Sequence, residues 1–185
     1  MKKVLLGLAL VAGSMTFAQK FGVKGGLNVS TISDGESEAK AGFYGGAFVN
    51  VPVAKDFSVQ PEVLYNGVGA KADGIDNLKV NLSYISVPVM FQYNATPALY
   101  LEAGPQFSFL IDSKFKYQSV SVDGNDYIKG FDFGIGLGAG YYFTPNIGVT
   151  ARYVAGITDI GKEVQGIQPE GKNNVFQVGV AYKFK

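Results

Sequence analysis

The stretch Phe131–Phe143, which reads Phe-Asp-Phe-Gly-Ile-Gly-Leu-Gly-Ala-Gly-Tyr-Tyr-Phe, decides the fold of this chain. Its odd positions carry apolar or aromatic side chains, whereas its even positions from 134 to 140 are all glycine. This period of two predicts a β-strand with two unlike faces. Because the bare face has no bulk to fill a wide core, the pattern favours a narrow closed barrel whose crowded face contacts lipid.

The alternating glycines do not match a nucleotide-binding site. A dinucleotide fingerprint requires Gly-x-Gly-x-x-Gly at a turn from a strand into a helix. The glycines of Phe131–Phe143 alternate strictly, and no helical periodicity follows them. We therefore expect no nucleotide cofactor.

Composition narrows the functions that the chain can have. The chain has 185 residues, enough for one domain, and contains no His, Cys or Trp. The absence of His removes the usual general base, the Ser–His and Cys–His pairs and most zinc sites. The formal net charge is +1, so the chain lacks the excess of basic residues that nucleic-acid binding requires. We expect no enzyme activity, no cofactor and no nucleic-acid partner.

The N-terminal residues have the pattern of a secretory signal. Met1–Lys3 is positively charged, Val4–Ala12 is apolar, and Thr16 and Ala18 supply small side chains before a cleavage point at Gln19. The pattern predicts a signal peptide over residues 1–18 and a barrel domain over residues 19–185. A buried N-terminal helix is the alternative. After residue 18 no run of 18 apolar residues occurs, as a membrane helix would need.

Eight alternating segments follow, and turn residues separate them. We expect strands near residues 20–32, 40–51, 57–70, 79–93, 98–113, 127–143, 147–159 and 173–184. The connections alternate in kind. Short proline-bearing ones at 52–56, 94–97 and 144–146 alternate with longer polar ones at 33–39, 71–78, 114–126 and 161–172. This arrangement predicts an all-β, eight-stranded antiparallel up-and-down transmembrane barrel with short periplasmic turns and long extracellular loops.

The first and last strands are expected to close the barrel. Phe21–Val29 and Phe176–Phe184 both alternate, and their pairing would remove the free edges that hydrocarbon cannot satisfy. Two other strands are ambiguous from sequence. In the second, Phe43, Tyr44 and Phe48 fall on both faces, and the fourth is expected to hold a bulge.

Several of these segments together resemble a known family. Phe21–Asn28, Val59–Tyr65, Tyr84–Val89 and the aromatic C-terminal strand are similar to the PorT-type outer-membrane β-barrel family of Bacteroidetes, small OmpX-like or OmpA-like barrels. The resemblance covers nearly all of the chain after residue 18. It implies a bacterial outer-membrane location and recognition of the C-terminal strand by the barrel-assembly machinery. This chain departs from the pattern in one respect, because Lys185 follows the terminal aromatic Phe184.

The polar face of the strands carries the candidate site. We predict a lumen charge network made of three acids and three bases: Lys24, Glu62, Glu102, Asp132, Arg152 and Lys183. Counting from the short-turn rim places Lys24, Glu62, Glu102 and Arg152 in one layer, with Asp132 nearer the long loops and Lys183 at the periplasmic mouth. Arg152 is expected to contact Glu62 or Glu102. A general acid–base pair of Glu62 and Glu102 is the alternative reading.

These features predict a small barrel with a side-chain-plugged lumen and a structural or interaction role. The expected partners are outer-membrane lipid, the barrel-assembly machinery and an extracellular partner at the long loops. A narrow channel for small solutes, a barrel enzyme acting on lipid and a soluble ligand carrier are the alternatives. Asp-Gly pairs at 34–35, 73–74 and 123–124 lack the spaced acidic ligands of a calcium loop, so we expect no metal.

Overall fold

The computed structural model describes residues 19–33, 37–72, 78–117, 120–123, 127–162 and 171–184. The expected signal peptide at residues 1–18 lies outside the described residues. So do the Asp-Gly pairs at 34–35 and 73–74, and much of the connection at 161–172. Within the described part of the chain, no helix is long and apolar enough to cross a membrane.

The described chain is built from β-strands. Their bounds are β1 Lys20–Ile32, β2 Ser37–Ala54, β3 Phe57–Ala72, β4 Leu78–Asn94, β5 Leu99–Tyr117, β6 Val120–Asp123, β7 Phe131–Tyr142, β8 Ile147–Gly156 and β9 Asn173–Lys183. All pairings between them are antiparallel. Alternation of side chains along the segments, with Gly, Pro, Asn and Asp between them, explains why these residues form strands.

Pairing of the first and last strands closes the sheet. β1 pairs with β9 from Gly22 opposite Lys183 to Ile32 opposite Asn173. β5 pairs with both β4 and β7, so the short β6 stands outside the ring and the other eight strands complete it. The predicted eight-stranded antiparallel barrel is therefore confirmed.

One predicted loop is partly strand. The sequence expectation of a polar loop from residue 114 to residue 126 is wrong for residues 114–117 and 120–123, because β5 runs on to Tyr117 and pairs there with β6. Val120 and Val122 alternate with Ser121 in β6, and β-branched residues at every second position favour this hairpin.

The predicted bulge lies in the pairing of the fourth and fifth strands. Ser83 pairs with Asp112 and Tyr84 pairs with Leu110, which leaves Ile111 of β5 as the extra residue. The sequence expectation placed the bulge in the fourth strand itself and is corrected, because the side chains of β4 alternate without interruption from Val80 to Tyr93. A bulge residue reverses the alternation of the strand that contains it.

The two faces of the barrel are inverted relative to a soluble protein. Large apolar side chains cover the outside, where Leu27 is 70% exposed and Leu137 is 68% exposed. Buried polar side chains fill the inside, and they include Glu62 and Arg152. In the second strand, Tyr44 and Phe48 point inward and Phe43 outward, which resolves the ambiguity of the sequence. Lipid is the solvent that such an outer face requires.

Candidate functional site

Four charged side chains form the centre of the lumen. Lys24 comes from β1, Glu62 from β3, Glu102 from β5 and Arg152 from β8, so alternate strands of the ring supply one layer. Antiparallel pairing and period-two alternation point all four side chains inward. Small barrels are filled by such layers.

The glycines of β7 make room for this layer. A Cβ placed on Gly136 would lie 3.1 Å from Cε of Met90 and 3.5 Å from Cδ of Arg152. One placed on Gly138 would lie 2.6 Å from O of Ala151 and 3.0 Å from Oε1 of Glu102. Larger side chains at these positions would therefore occupy the space of the charged groups. The bare face that identified the strand from sequence is the face that accommodates the arginine.

Arg152 joins both carboxylates. Its Nη1 and Nη2 donate to Oε2 and Oε1 of Glu62 at 2.9 and 2.8 Å, a two-bond fork. Its Nε donates to Oε1 of Glu102 at 2.7 Å. A planar guanidinium is the side chain whose geometry suits such bidentate binding, and charge-assisted bonds of this kind are among the stronger ones in proteins.

Other side chains donate further hydrogen bonds to the two carboxylates. Nζ of Lys24 donates to Oε1 and Oε2 of Glu62 at 3.0 and 3.2 Å, and Gln60 donates to Glu62 Oε1 at 2.8 Å. Gln92 donates to Oε2 of Glu102 at 3.0 Å. The side chains of Glu62 and Glu102 are both 0% exposed. Two acids and two bases make this layer neutral, which is what burial away from water requires.

Neutral polar layers lie next to the charged one. Toward the short turns, Asn50 donates to Ser58 at 3.1 Å and to Gln92 at 2.8 Å. Toward the long connections, Gln177 donates to Asn66 at 2.7 Å, and Asn66 donates to Ser86 at 2.9 Å. Together with the charged layer, these bonds tie seven of the eight ring strands together through the lumen: β1, β2, β3, β4, β5, β8 and β9, with Lys24, Ser108 and Arg152 supplying the contacts of β1, β5 and β8.

Apolar side chains occupy both ends of the lumen. We call the cluster near the short turns the turn-side plug; it consists of Phe48, Tyr100, Tyr142 and Ala181. The cluster near the long connections is the loop-side plug; it consists of Val68, Leu82, Tyr84, Ile128, Val154, Ile160 and Val175. The charged layer therefore lies between two apolar clusters.

The loop-side plug is partly supplied by the connections. Ile128 precedes β7 and Ile160 follows β8, and the backbone N of Lys129 donates to O of Ile160 at 2.7 Å. Ile128 also forms an isolated bridge with Gly161. These bonds bring both isoleucines over the barrel end.

Two predicted site residues lie apart from the central cluster. Asp132, at the start of β7, accepts a bond of 2.9 Å from Oγ1 of Thr158. Nζ of Lys183, at the end of β9, lies 3.7 Å from the centroid of the Tyr142 ring. The structure thus brings four of the six predicted charges together and separates the other two, one toward each end.

Sequence reasoning overlooked the side chains of the two plugs. Tyr100 and Tyr142 share the alternation of Glu102 and of the β7 glycines, so their inward direction could have been read from parity. Ile128 is an even position of the segment expected as a strand at 127–143, so its inward direction could also have been read from parity. Ile160 lies beyond the strand expected at 147–159, and no periodic signal identifies it.

The arrangement leaves little room for catalysis. Both carboxylates that could act as an acid–base pair are bound by Arg152 within the buried layer. No group of three or more His, Cys, Asp or Glu side chains that could hold a metal occurs among the residues described. The central layer is thus suited to filling and crosslinking the lumen.

A family model described as the outer membrane protein beta-barrel domain matches residues 17–162 of the sequence. No curated protein matches the sequence at a significant level.

Solved structures of similar fold are small barrels. The attachment invasion locus protein Ail of Yersinia pestis is 14% identical, with a TM-score of 0.56 over 91% of this chain and 100% of that one. Neisserial surface protein A is 14% identical, with a TM-score of 0.61 over 90% and 99%. The outer membrane protein OprG of Pseudomonas aeruginosa is 14% identical, with a TM-score of 0.52 over 90% and 96%. At this identity the likeness concerns the fold.

Proposed function

This chain belongs to the outer membrane protein beta-barrel domain family, and on that premise we propose that it is a non-conducting barrel with a structural or interaction role. Its place is the bacterial outer membrane, embedded in lipid. Its lumen is closed by its own side chains, and its contacts with partners are made at the outer surface and at the long connections.

The observation that carries this proposal is the central layer. Arg152 spans from Glu62 to Glu102, two residues of different strands, and the side chains of all three are at most 2% exposed. An eight-stranded barrel has an interior only wide enough for side chains or one small ligand. A solute would have to break these ion pairs and displace an apolar plug on each side.

Conductance across a planar lipid bilayer tests the proposal against the narrow-channel alternative. The purified barrel should give no steady single-channel steps in concentrated salt, whereas a wide-lumen porin inserted under the same conditions should conduct. Regular steps of constant size from the parent protein would support the channel instead. Insertion is checked separately in vesicles of the same lipid, by protection of the barrel from added protease.

The proposal includes the absence of enzyme activity. Glu62 accepts bonds from Lys24, Gln60 and Arg152, so neither of its oxygens is available to take a proton from a substrate. Glu102 accepts from Arg152 and Gln92. A general base must come within hydrogen-bond reach of its substrate, and buried, fully engaged carboxylates do not.

An interaction role is supported by the hairpin of β5 and β6. The pairing of β5 with β7 ends at Phe109, whereas β5 continues to Tyr117 and pairs with β6 beyond that point. This hairpin extends the wall past the β7 end of the ring on the side of the long connections. We propose it as the surface for an extracellular partner. A variant with residues 114–123 replaced by a short Gly-Ser turn should keep the barrel and lose binding to cell-surface material.

The C-terminal strand supports an assembly role. Phe176, Val178, Val180, Tyr182 and Phe184 form an exposed apolar row on β9 and the residue after it. We propose that the barrel-assembly machinery reads this row, and that the chain is of the PorT type that its segments resemble. Phe184→Ser should lower the amount of folded protein in the outer membrane while leaving refolding from urea into detergent unchanged.

A further inference from the structure

A positively charged cavity lies at the short-turn rim, where β1 and β9 meet. Its volume is about 450 Å³, and its lining includes Lys20, Phe21, Pro145, Asn146, Lys183 and Phe184. Lys20 begins β1 and Lys183 ends β9, and the antiparallel pairing of these strands brings the two lysines to one place.

The backbone around this cavity is fixed. The N–H of Phe184 donates to O of Phe21 at 2.7 Å, and Nδ2 of Asn146 donates to O of Lys183 at 2.6 Å. Nζ of Lys183 is held over the face of Tyr142 by a cation–π contact of 3.7 Å. The cavity is thus a formed feature of the rim.

The two lysines have no acidic partner. Neither forms an ion pair with a carboxylate in the part of the chain that the structure describes. Both side chains instead line the same cavity. Two like charges facing one cavity favour an anion between them, and a phosphate is the anion whose oxygens can accept from both.

A second, mostly apolar groove lies beside the cavity, along the same strands. Its volume is about 330 Å³, and its lining includes Val23, Gly25, Ile147, Val180 and Tyr182. Val23 and Ile147 both pair with Tyr182, the neighbour of Lys183, so the groove begins beside the charged rim. Gly25 lies opposite Val180 and carries no side chain, which leaves a depression in the lipid-facing surface.

We propose that this seam is a binding site for an anionic phospholipid of the periplasmic leaflet. The headgroup phosphate lies between Lys20 and Lys183, and an acyl chain follows the groove past Val23 and Val180. Phe21 and Phe184 are exposed on the lipid side of the cavity, where the glycerol and first methylenes would pass. The union of a cationic cavity with an apolar groove matches a lipid, whereas a free phosphate would use the cavity alone.

Native mass spectrometry of the full-length processed protein tests this site. The protein is released from mixed micelles holding equal amounts of phosphatidylglycerol and phosphatidylcholine, and the ratio of the two lipids retained is measured. We expect the parent to retain phosphatidylglycerol preferentially. Lys20→Gln should reduce that preference about fivefold, and the Lys20→Gln, Lys183→Gln double variant should reduce it further.

A matched control variant distinguishes lipid binding at this site from non-specific attraction of anionic lipid by any lysine of the rim. Lys55 lies on the same rim in the turn between β2 and β3, is exposed, and does not line the cavity. Lys55→Gln should therefore leave the lipid preference unchanged. An equal loss of preference in Lys55→Gln and Lys20→Gln would overturn the proposal, because it would show only non-specific attraction.

Two further outcomes decide the proposal. Lys20 is exposed and Lys20→Gln removes no packing, so a folded variant with the parent's lipid preference would contradict the site directly. Added inorganic phosphate should not displace the retained lipid. Loss of the retained phosphatidylglycerol from the parent on addition of phosphate, with phosphatidylcholine retained as before, would show a free-phosphate site in place of a lipid site.

Discussion

Replacing Arg152 by methionine should be among the most damaging single changes in the lumen. Methionine keeps much of the volume of the arginine stem but removes three hydrogen bonds to two buried carboxylates. Glu62 would keep Lys24 and Gln60 as partners, whereas Glu102 would keep only Gln92. Breaking a buried ion pair from one side costs about 3–5 kcal/mol, so we expect the free energy of unfolding to fall by that amount.

A second substitution, Glu102→Gln, should change the free energy of unfolding in opposite directions in the parent protein and in Arg152→Met. In the parent protein, Glu102→Gln removes one of the two carboxylates that bind Arg152, so the buried layer gains a net positive charge and the free energy of unfolding should fall. In Arg152→Met, the same change removes the stranded carboxylate and should raise the free energy of unfolding. Paired removal of both charges is often close to neutral, so the double variant should recover much of the loss.

Unfolding by urea in lipid vesicles, followed by far-ultraviolet circular dichroism, measures these differences. Circular dichroism is chosen because the chain contains no Trp. The matched control is the ion pair of Lys114 and Asp112, whose atoms are 2.9 Å apart but whose side chains are 52% and 44% exposed. Lys114→Met should cost no more than about 1 kcal/mol. The reasoning is refuted if Arg152→Met unfolds at the parent's midpoint, or if Glu102→Gln destabilises both backgrounds equally.

Three further predictions concern the lipid face, the lumen glycines and the orientation. Leu137 lies at the middle of β7 on the outer face, and Leu137→Arg should lower the free energy of unfolding by about 2–4 kcal/mol. Phe143→Arg, near the rim, should lower it by at most about 1 kcal/mol. Equal losses of the two variants on unfolding in vesicles would argue against the placement of the membrane. Gly140→Val should lower the free energy of unfolding by about 1–3 kcal/mol or more, because its Cβ would overlap the ring of Tyr100. Its control is Gly130→Ala, whose Cβ has open space and which should change the free energy of unfolding by less than about 0.5 kcal/mol. Since the chain has no Cys, variants with a single cysteine report the orientation of the barrel in the membrane. A membrane-impermeant thiol reagent should label Lys114→Cys on intact cells, and Lys55→Cys only after permeabilisation. The opposite labelling pattern would show the opposite orientation.

Much of the fold was readable from the sequence because a membrane barrel imposes a strict alternation. The glycines between residues 134 and 140 indicated the bare face of β7, and Pro97 and Pro145 marked two turns of the short rim, whereas Pro52 lies within β2. Both features reflect local chemistry that a single strand carries by itself. The closure of β1 on β9 followed from the need to leave no unpaired edge in lipid.

Parts of the lumen were not readable because they depend on where separate elements meet. Parity gave the inward direction of Glu62, Glu102 and Arg152, but only the register of the sheet gives the fork that Arg152 makes. Ile128 and Ile160 reach the loop-side plug through backbone bonds between two connections, and no periodicity encodes such bonds. The hairpin of β5 and β6 was hidden by the polar residues that surround its β-branched pair.

The separation of Asp132 and Lys183 from the central layer has a similar origin. A count of residues along each strand places them toward opposite ends, and the structure gives them local partners there, Thr158 and Tyr142. The sequence alone does not identify those partners, because Thr158 lies in a connection and Tyr142 lies on a different strand from Lys183.

Hydrogen exchange at the Arg152 guanidinium tests most directly whether a dry, ion-paired layer closes the lumen. Arg152 is the only arginine in the sequence, so its Nε–H gives a single side-chain signal in nuclear magnetic resonance spectra of the barrel in lipid nanodiscs. Because Nε donates to Glu102 at 2.7 Å within the buried layer, we predict that this proton exchanges with deuterated water as slowly as the backbone amides of the central strands. Exchange as fast as that of a free arginine side chain would contradict the account, because it would show that water reaches the centre of the lumen.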